Sequence, residues 1–117
     1  MSFSSVQILD GGSVSGAYGV IHAPVGVPMV FQAVHGALSS GTGTATVTIY
    51  GSLEENPSRT ALTGWTSLGT IASTLSTTAT TGSLAVTSPW RYVKAFLTGI
   101  AVPLGQTGNM DVWIGTE

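Results

Sequence analysis

The chain has no cysteine, which removes disulfide frameworks and thiolate metal sites from consideration. Charge is nearly as scarce. Only 7% of the 117 residues are Asp, Glu, Lys or Arg, against about a quarter in ordinary soluble domains. The basic residues are Arg59, Arg91 and Lys94, and the acidic ones Asp10, Glu54, Glu55, Asp111 and Glu117. With a formal net charge of -2, no basic field is available to grip a phosphate backbone, and nucleic acid is excluded as an expected partner. No apolar run approaches the ~20 residues of a membrane-spanning helix, so no membrane partner is expected. The start, Met1-Ser2-Phe3-Ser4-Ser5, lacks the basic and apolar regions of a secretory signal.

What remains is apolar residues set among Ser, Thr and Gly. The length suits one domain, residues 1–117. Disorder is not expected of so apolar a chain. A surface made of hydroxyls and glycine repels its own kind weakly, which suits a subunit partly covered by others better than a free-standing enzyme.

The hydrophobic period is two almost throughout. Ala45, Val47 and Ile49 alternate with Thr44, Thr46, Thr48 and Tyr50, the cleanest half-buried strand in the chain. Val6 and Ile8 alternate with Gln7 and Leu9 before Gly11-Gly12, and 14–21 reads as a glycine-interrupted strand. In 29–38, Val30, Gln32 and Val34 fall on one side and Met29, Phe31, Ala33 and His35 on the other. Further strands are expected over 65–71, 83–86, 91–98 and 110–114, with turn signals at Gly41-Thr42-Gly43, Asn56-Pro57, Thr81-Gly82, Ser88-Pro89 and Gly108-Asn109. The hydroxyl-rich stretch 73–83 reads as a β-hairpin. No amphipathic helix is evident, and 57–62 offers at most one turn. The fold expected is an all-β, antiparallel, jelly-roll-like sandwich of about eight strands, with residues 1–10 as an extended N-terminal arm.

One strand stands apart. Along 90–98 one face reads Trp90, Tyr92, Lys94, Phe96 and Thr98, and the other Arg91, Val93, Ala95 and Leu97. Both faces are largely apolar, whereas a strand with one wet face carries a polar stripe. Either loops of the same chain fold over the outer face, or another subunit covers it.

Catalytic chemistry needs converging titratable groups. The chain offers two histidines, His22 and His35, and five carboxylates. No His-x-x-x-His, His-x-His or Glu-x-x-His spacing exists, so no metal site is expected. No Gly-x-Ser-x-Gly elbow appears, and Glu54-Glu55 beside Asn56-Pro57 reads as a solvated turn rather than a glycosidase pair. Gly11-Gly12 precedes no helix and forms no phosphate cradle. Neither an enzyme nor a cofactor is expected, and each histidine reads as structural.

Three segments carry a resemblance. Tyr50-Gly51-Ser52-Leu53-Glu54 runs into a polar loop and returns through Trp65-Thr66-Ser67-Leu68-Gly69-Thr70-Ile71. Trp90-Arg91-Tyr92-Val93-Lys94-Ala95 and Leu97-Thr98-Gly99 follow. Over about residues 44–114 this order is similar to that of discoidin-like, galactose-binding-like jelly rolls. It also resembles small structural proteins of tailed bacteriophages, which share the Ser/Thr/Gly-rich, lysine-poor texture. Many discoidin-like domains hold sugars or lipids on aromatic or charged apical loops. Here those loops carry mostly small residues, so the resemblance implies a capsid decoration (cement) subunit that stabilises the shell, located in the virion after assembly in the host cytoplasm. Its expected partners are further copies of itself and the major capsid protein, met through Ser2, Phe3, Val6, Trp90, Tyr92 and Phe96. The alternative is a carbohydrate- or receptor-binding module of a phage tail or tail fibre, with Trp65 or Trp113 against a sugar face.

Overall fold

The computed structural model describes residues 4–13, 16–23, 28–106 and 108–116, with the backbone alone for 4, 5 and 116. Eight strands follow one another: β1 (Ser4–Gly12), β2 (Tyr18–His22), β3 (Met29–His35), β4 (Gly43–Ser52), β5 (Thr66–Leu75), β6 (Thr80–Val86), β7 (Tyr92–Ala101) and β8 (Met110–Thr116). They form two four-stranded sheets of order β1-β8-β3-β6 and β2-β7-β4-β5, with every pairing antiparallel. The pairs β4/β5, β3/β6, β2/β7 and β1/β8 are those of a single long ribbon doubled back at the 53–65 loop and wound into a jelly roll. Only β4 and β5 are consecutive strands within one sheet. Every other connection crosses from sheet to sheet.

The expected eight-stranded sandwich is therefore present, with two local corrections. The 73–83 stretch is not a hairpin: β5 and β6 lie in different sheets, joined by a corner at 76–79. Residues 4–10 do not form a free arm, because they belong to β1 and pair along β8. Ser2 and Phe3 lie outside the described residues.

Side-chain alternation places the core. On β4, Ala45, Val47 and Ile49 point inward. On β3 the inward set is Met29, Phe31, Ala33 and His35, and on β7 it is Val93, Ala95 and Leu97. Each full burial of a side chain of this size stabilises by about 1.5–3 kcal/mol. The molecule measures 42 × 35 × 18 Å, its short axis matching two sheets about 10 Å apart plus their outer side chains. On β1 the alternation breaks. A register shift between Gln7 and Leu9 turns both Ile8 and Leu9 inward, as a β-bulge does when it adds a residue to one strand.

Candidate ligand face

The two sheets present outer faces of different character. On the β2-β7-β4-β5 sheet, β7 turns Tyr92, Lys94, Phe96 and Thr98 outward, opposite its core-facing Val93, Ala95 and Leu97. The register sets Val20 and Tyr50 on either side of Lys94. Lys94 is nonetheless 0% exposed. The 53–65 loop folds over it, and its Nζ donates to the Arg59 carbonyl (2.7 Å) and the Ala61 carbonyl (3.5 Å). The rings of Tyr18, Trp65 and Phe96 surround the amine, with centroids 5.1, 5.4 and 5.4 Å from Nζ. These contacts favour the cation, while burial pushes the Lys94 pKa down.

The loop holds its shape through its own hydroxyls. Ser58 Oγ accepts from the Ala61 amide (3.0 Å), and the Ser58 carbonyl accepts from Trp65 Nε1 (2.7 Å). Trp65, 9% exposed, is thereby fixed as part of the lid over β7. The cover that this two-sided apolar strand requires is supplied in large part within the chain.

The β1-β8-β3-β6 sheet has an open outer face. Trp113 on β8 stands 38% exposed. The register puts Gln7 on β1 and Gln32 on β3 directly opposite it, and Ser83 on β6 opposite Gln32. One row across the sheet thus reads Gln7–Trp113–Gln32–Ser83. Cβ atoms of such cross-strand neighbours lie about 4.5–5.5 Å apart. Val30, 48% exposed, stands on the same face of β3. Asp111, two residues before Trp113, is committed to structure, its Oδ1 accepting from the Gly11 amide (2.7 Å). An exposed indole between two primary amides offers a flat apolar surface with donors and acceptors on both sides, the combination that binds a ligand with one apolar face and a polar rim.

The residues expected to form a contact surface are dispersed. Trp90 packs over Gly51, where an added Cβ would meet its ring at 2.5 Å, and its Nε1 donates to Ser88 Oγ (3.0 Å). Tyr92 stacks edge-on against His22, centroids 4.5 Å apart. Phe96 meets Tyr50 at 6.3 Å as well as the Lys94 amine. Val6 is 51% exposed at the β1 edge, in register with core-facing Ile114, so it lies away from the other three. Tyr92 and Phe96 share a face with Lys94, and Trp90 belongs to one end of the sandwich. Gln7 and Gln32 were missed in the sequence because each is an ordinary polar residue on its own strand. Only the β1/β8/β3 register brings them to Trp113.

The two histidines sit in different surroundings. His35 is buried, and its Nδ1 donates to the Gly36 carbonyl (2.6 Å) while Nε2 has no partner. His22 is held against Tyr92. Among the described residues no three His, Asp or Glu side chains converge as metal ligands would, and no helix is long and apolar enough to cross a membrane.

No protein-family model and no curated protein matches the sequence. Solved structures share the fold. The K3 adhesin domain of Lys-gingipain from Porphyromonas gingivalis is similar with TM-score 0.58 and 13% identity, over 97% of this chain and 73% of that one. A CBM36 carbohydrate-binding module in complex with calcium and xylotriose gives 0.52 and 15%, over 94% and 97%. The PBSX exported protein XepA gives 0.56 and 12%, over 97% of this chain but 36% of that one. At these identities the likeness concerns architecture: the chain has the β-sandwich fold found in carbohydrate-binding and adhesin domains.

Proposed function

We propose that this chain is a non-catalytic carbohydrate-binding module whose ligand face is the outer side of the β1-β8-β3-β6 sheet. The observation that carries the reading is the row Gln7–Trp113–Gln32–Ser83, with Trp113 open to solvent on an interior strand of its sheet. The apolar face of a pyranose stacks on the indole, and the two amides reach hydroxyls at its rim. The sandwich neighbours support this reading, since two of them are a carbohydrate-binding module and an adhesin domain. The capsid-decoration reading draws on sparse charge, the phage-like texture and an outer face of 90–98 that needs cover; at Lys94 that cover comes from the 53–65 loop of the same chain, which weakens the third of these supports. In a phage tail or tail fibre, as the sequence texture implies, such a module would engage a glycan of the host surface.

Titration with soluble oligosaccharides tests the proposal, using xylooligosaccharides and a broad panel of bacterial surface glycans. Trp65 is buried and Trp90 is packed over Gly51, so a change in tryptophan emission on binding reports mainly on Trp113. Trp113→Ala is expected to weaken binding at least ~10-fold, about 1.4 kcal/mol, without unfolding the protein. Gln32→Ala is expected to weaken it less. No response to any glycan, or undiminished binding by Trp113→Ala, would end the proposal.

A further inference from the structure

Each sheet of an open sandwich has two edge strands, whose unpaired main-chain groups can template pairing with another chain unless blunted. Here the edges are β1 and β6 in one sheet and β2 and β5 in the other. Two of them are blunted along their length: β1 carries two register shifts and Asp10, and β2 is five residues long. β5 is interrupted by a bulge between its pairings with Ile49 and Tyr50, although 69–75 run on in register beyond it. β6 has none of these devices. It runs seven residues in unbroken register with β3 and contains no charge and no proline. It also lies in the middle of residues 60–90, which contain no Asp, Glu, Lys, Arg or His. Its inner side is fixed against β5, because a Cβ on Gly82 would meet Ile71 Cγ2 at 2.6 Å and Leu84 packs over Gly69. β6 is therefore a straight, anchored and uncharged edge.

The sequence of β6, Thr80-Thr81-Gly82-Ser83-Leu84-Ala85-Val86, also suits itself. A two-fold axis at Ser83 in an antiparallel pair sets Ser83 against Ser83 and Thr81 against Ala85 on the outer face. On the inner face Gly82 comes opposite Leu84, a missing side chain beside a large one. No like charges meet, and no two large side chains are opposed.

We propose that a second copy of this chain binds along β6, antiparallel and centred on Ser83. The product is a continuous eight-stranded sheet of order β1-β8-β3-β6-β6-β3-β8-β1. Pairing one strand with its equivalent is an isologous contact that closes at two copies. The contact area is at the small end for a specific interface, so the dimer forms reversibly with concentration. In such a sheet both outer faces look the same way. The two Trp113 side chains stand five strand spacings apart, about 24 Å. If the carbohydrate reading holds, the dimer is bivalent toward a polymeric glycan and gains avidity without any new contact. The pairing itself does not rest on that reading.

Sedimentation velocity of the full chain from about 5 µM to about 1 mM should show a monomer–dimer equilibrium. Thr81 and Ala85 are exposed, so Thr81→Lys/Ala85→Lys should leave the circular dichroism spectrum unchanged and hold the chain monomeric. Thr81→Glu/Ala85→Glu should do the same. An equal mixture of the two variants should restore the dimer, because the two-fold register sets each lysine against a glutamate. In the wild-type chain, amide-exchange protection that grows with concentration should be confined to β6. A wild-type chain monomeric throughout, a dimer that survives the double lysine variant, or a mixture that stays monomeric would overturn the proposal. These outcomes are independent of any glycan titration.

Discussion

Lys94 lies within an aromatic cage although water is only a loop's thickness away. Its hydrogen-bond partners are two neutral carbonyls, so burial lowers its pKa below the ordinary 10.5. The unfolded chain then holds this proton more tightly than the folded one. Between the lowered value and 10.5 the unfolded state binds more protons, so the Lys94 contribution to unfolding free energy rises with pH in that window and is flat on either side. Urea unfolding of the wild type and of Lys94→Met, in steps from about pH 7 upward, should give a stability difference that climbs in favour of the wild type. Tyrosine ionisation, common to both proteins, largely cancels. A difference independent of pH would show that the amine titrates as it does in water. The same residue shows the reach of sequence reasoning at this scale. That strand 90–98 is apolar on both sides was legible. That its cover would come from Arg59 and Ala61 was not, because nothing local to Lys94 says which loop will pass above it.

At the scale of elements, the 53–65 loop is the reversal point of the whole ribbon and is tied down at Lys94. Losing hydrogen bonds from a buried ammonium costs about 1.5–3 kcal/mol, which corresponds to a roughly 10- to 150-fold larger population of the opened loop. In Lys94→Met, trypsin is therefore expected to cut after Arg59 at least ~10-fold faster than in the wild type, with cleavage after Arg91 as the internal standard. Equal rates at Arg59 would mean that Trp65 and the Ser58 turn hold the loop unaided. The strands themselves were largely readable. The faces of β3 and β4 follow from alternation alone, since period two assigns each residue a side. Alternation does not say which sheet a strand joins. A hydroxyl-rich stretch such as 73–83 therefore reads as a hairpin, when it is a corner between sheets. For the same reason Trp65 and Trp113 are indistinguishable in the sequence, whereas the fold of the 53–65 loop buries one and the β1/β8/β3 register presents the other beside Gln7 and Gln32.

For the whole molecule, nearly every ladder joins strands far apart in the chain, and β1 cannot pair until β8 exists. Such non-local topologies fold in milliseconds to seconds, because loop-closure entropy must be overcome before the contacts form. The β4/β5 pair is the most local and is expected to form first. Ile71→Val should therefore give a larger φ-value than Ile114→Val when both folding limbs are measured. The reverse order would place the nucleus at the β1/β8 seam. Sparse charge acts at this scale as well: with a net charge of -2, little long-range repulsion opposes association through β6.

The β1/β8 register has one more consequence. It sets Ser4 opposite Thr116, so the two ends of the described backbone lie one strand spacing apart, about 5 Å. Topologically the domain is close to a ring. A short linker could join these positions and new ends could be opened in the 53–65 loop, giving a circular permutant that keeps all six strand pairings. The same adjacency would let the domain be grafted into a surface loop of a host protein through a single narrow stalk.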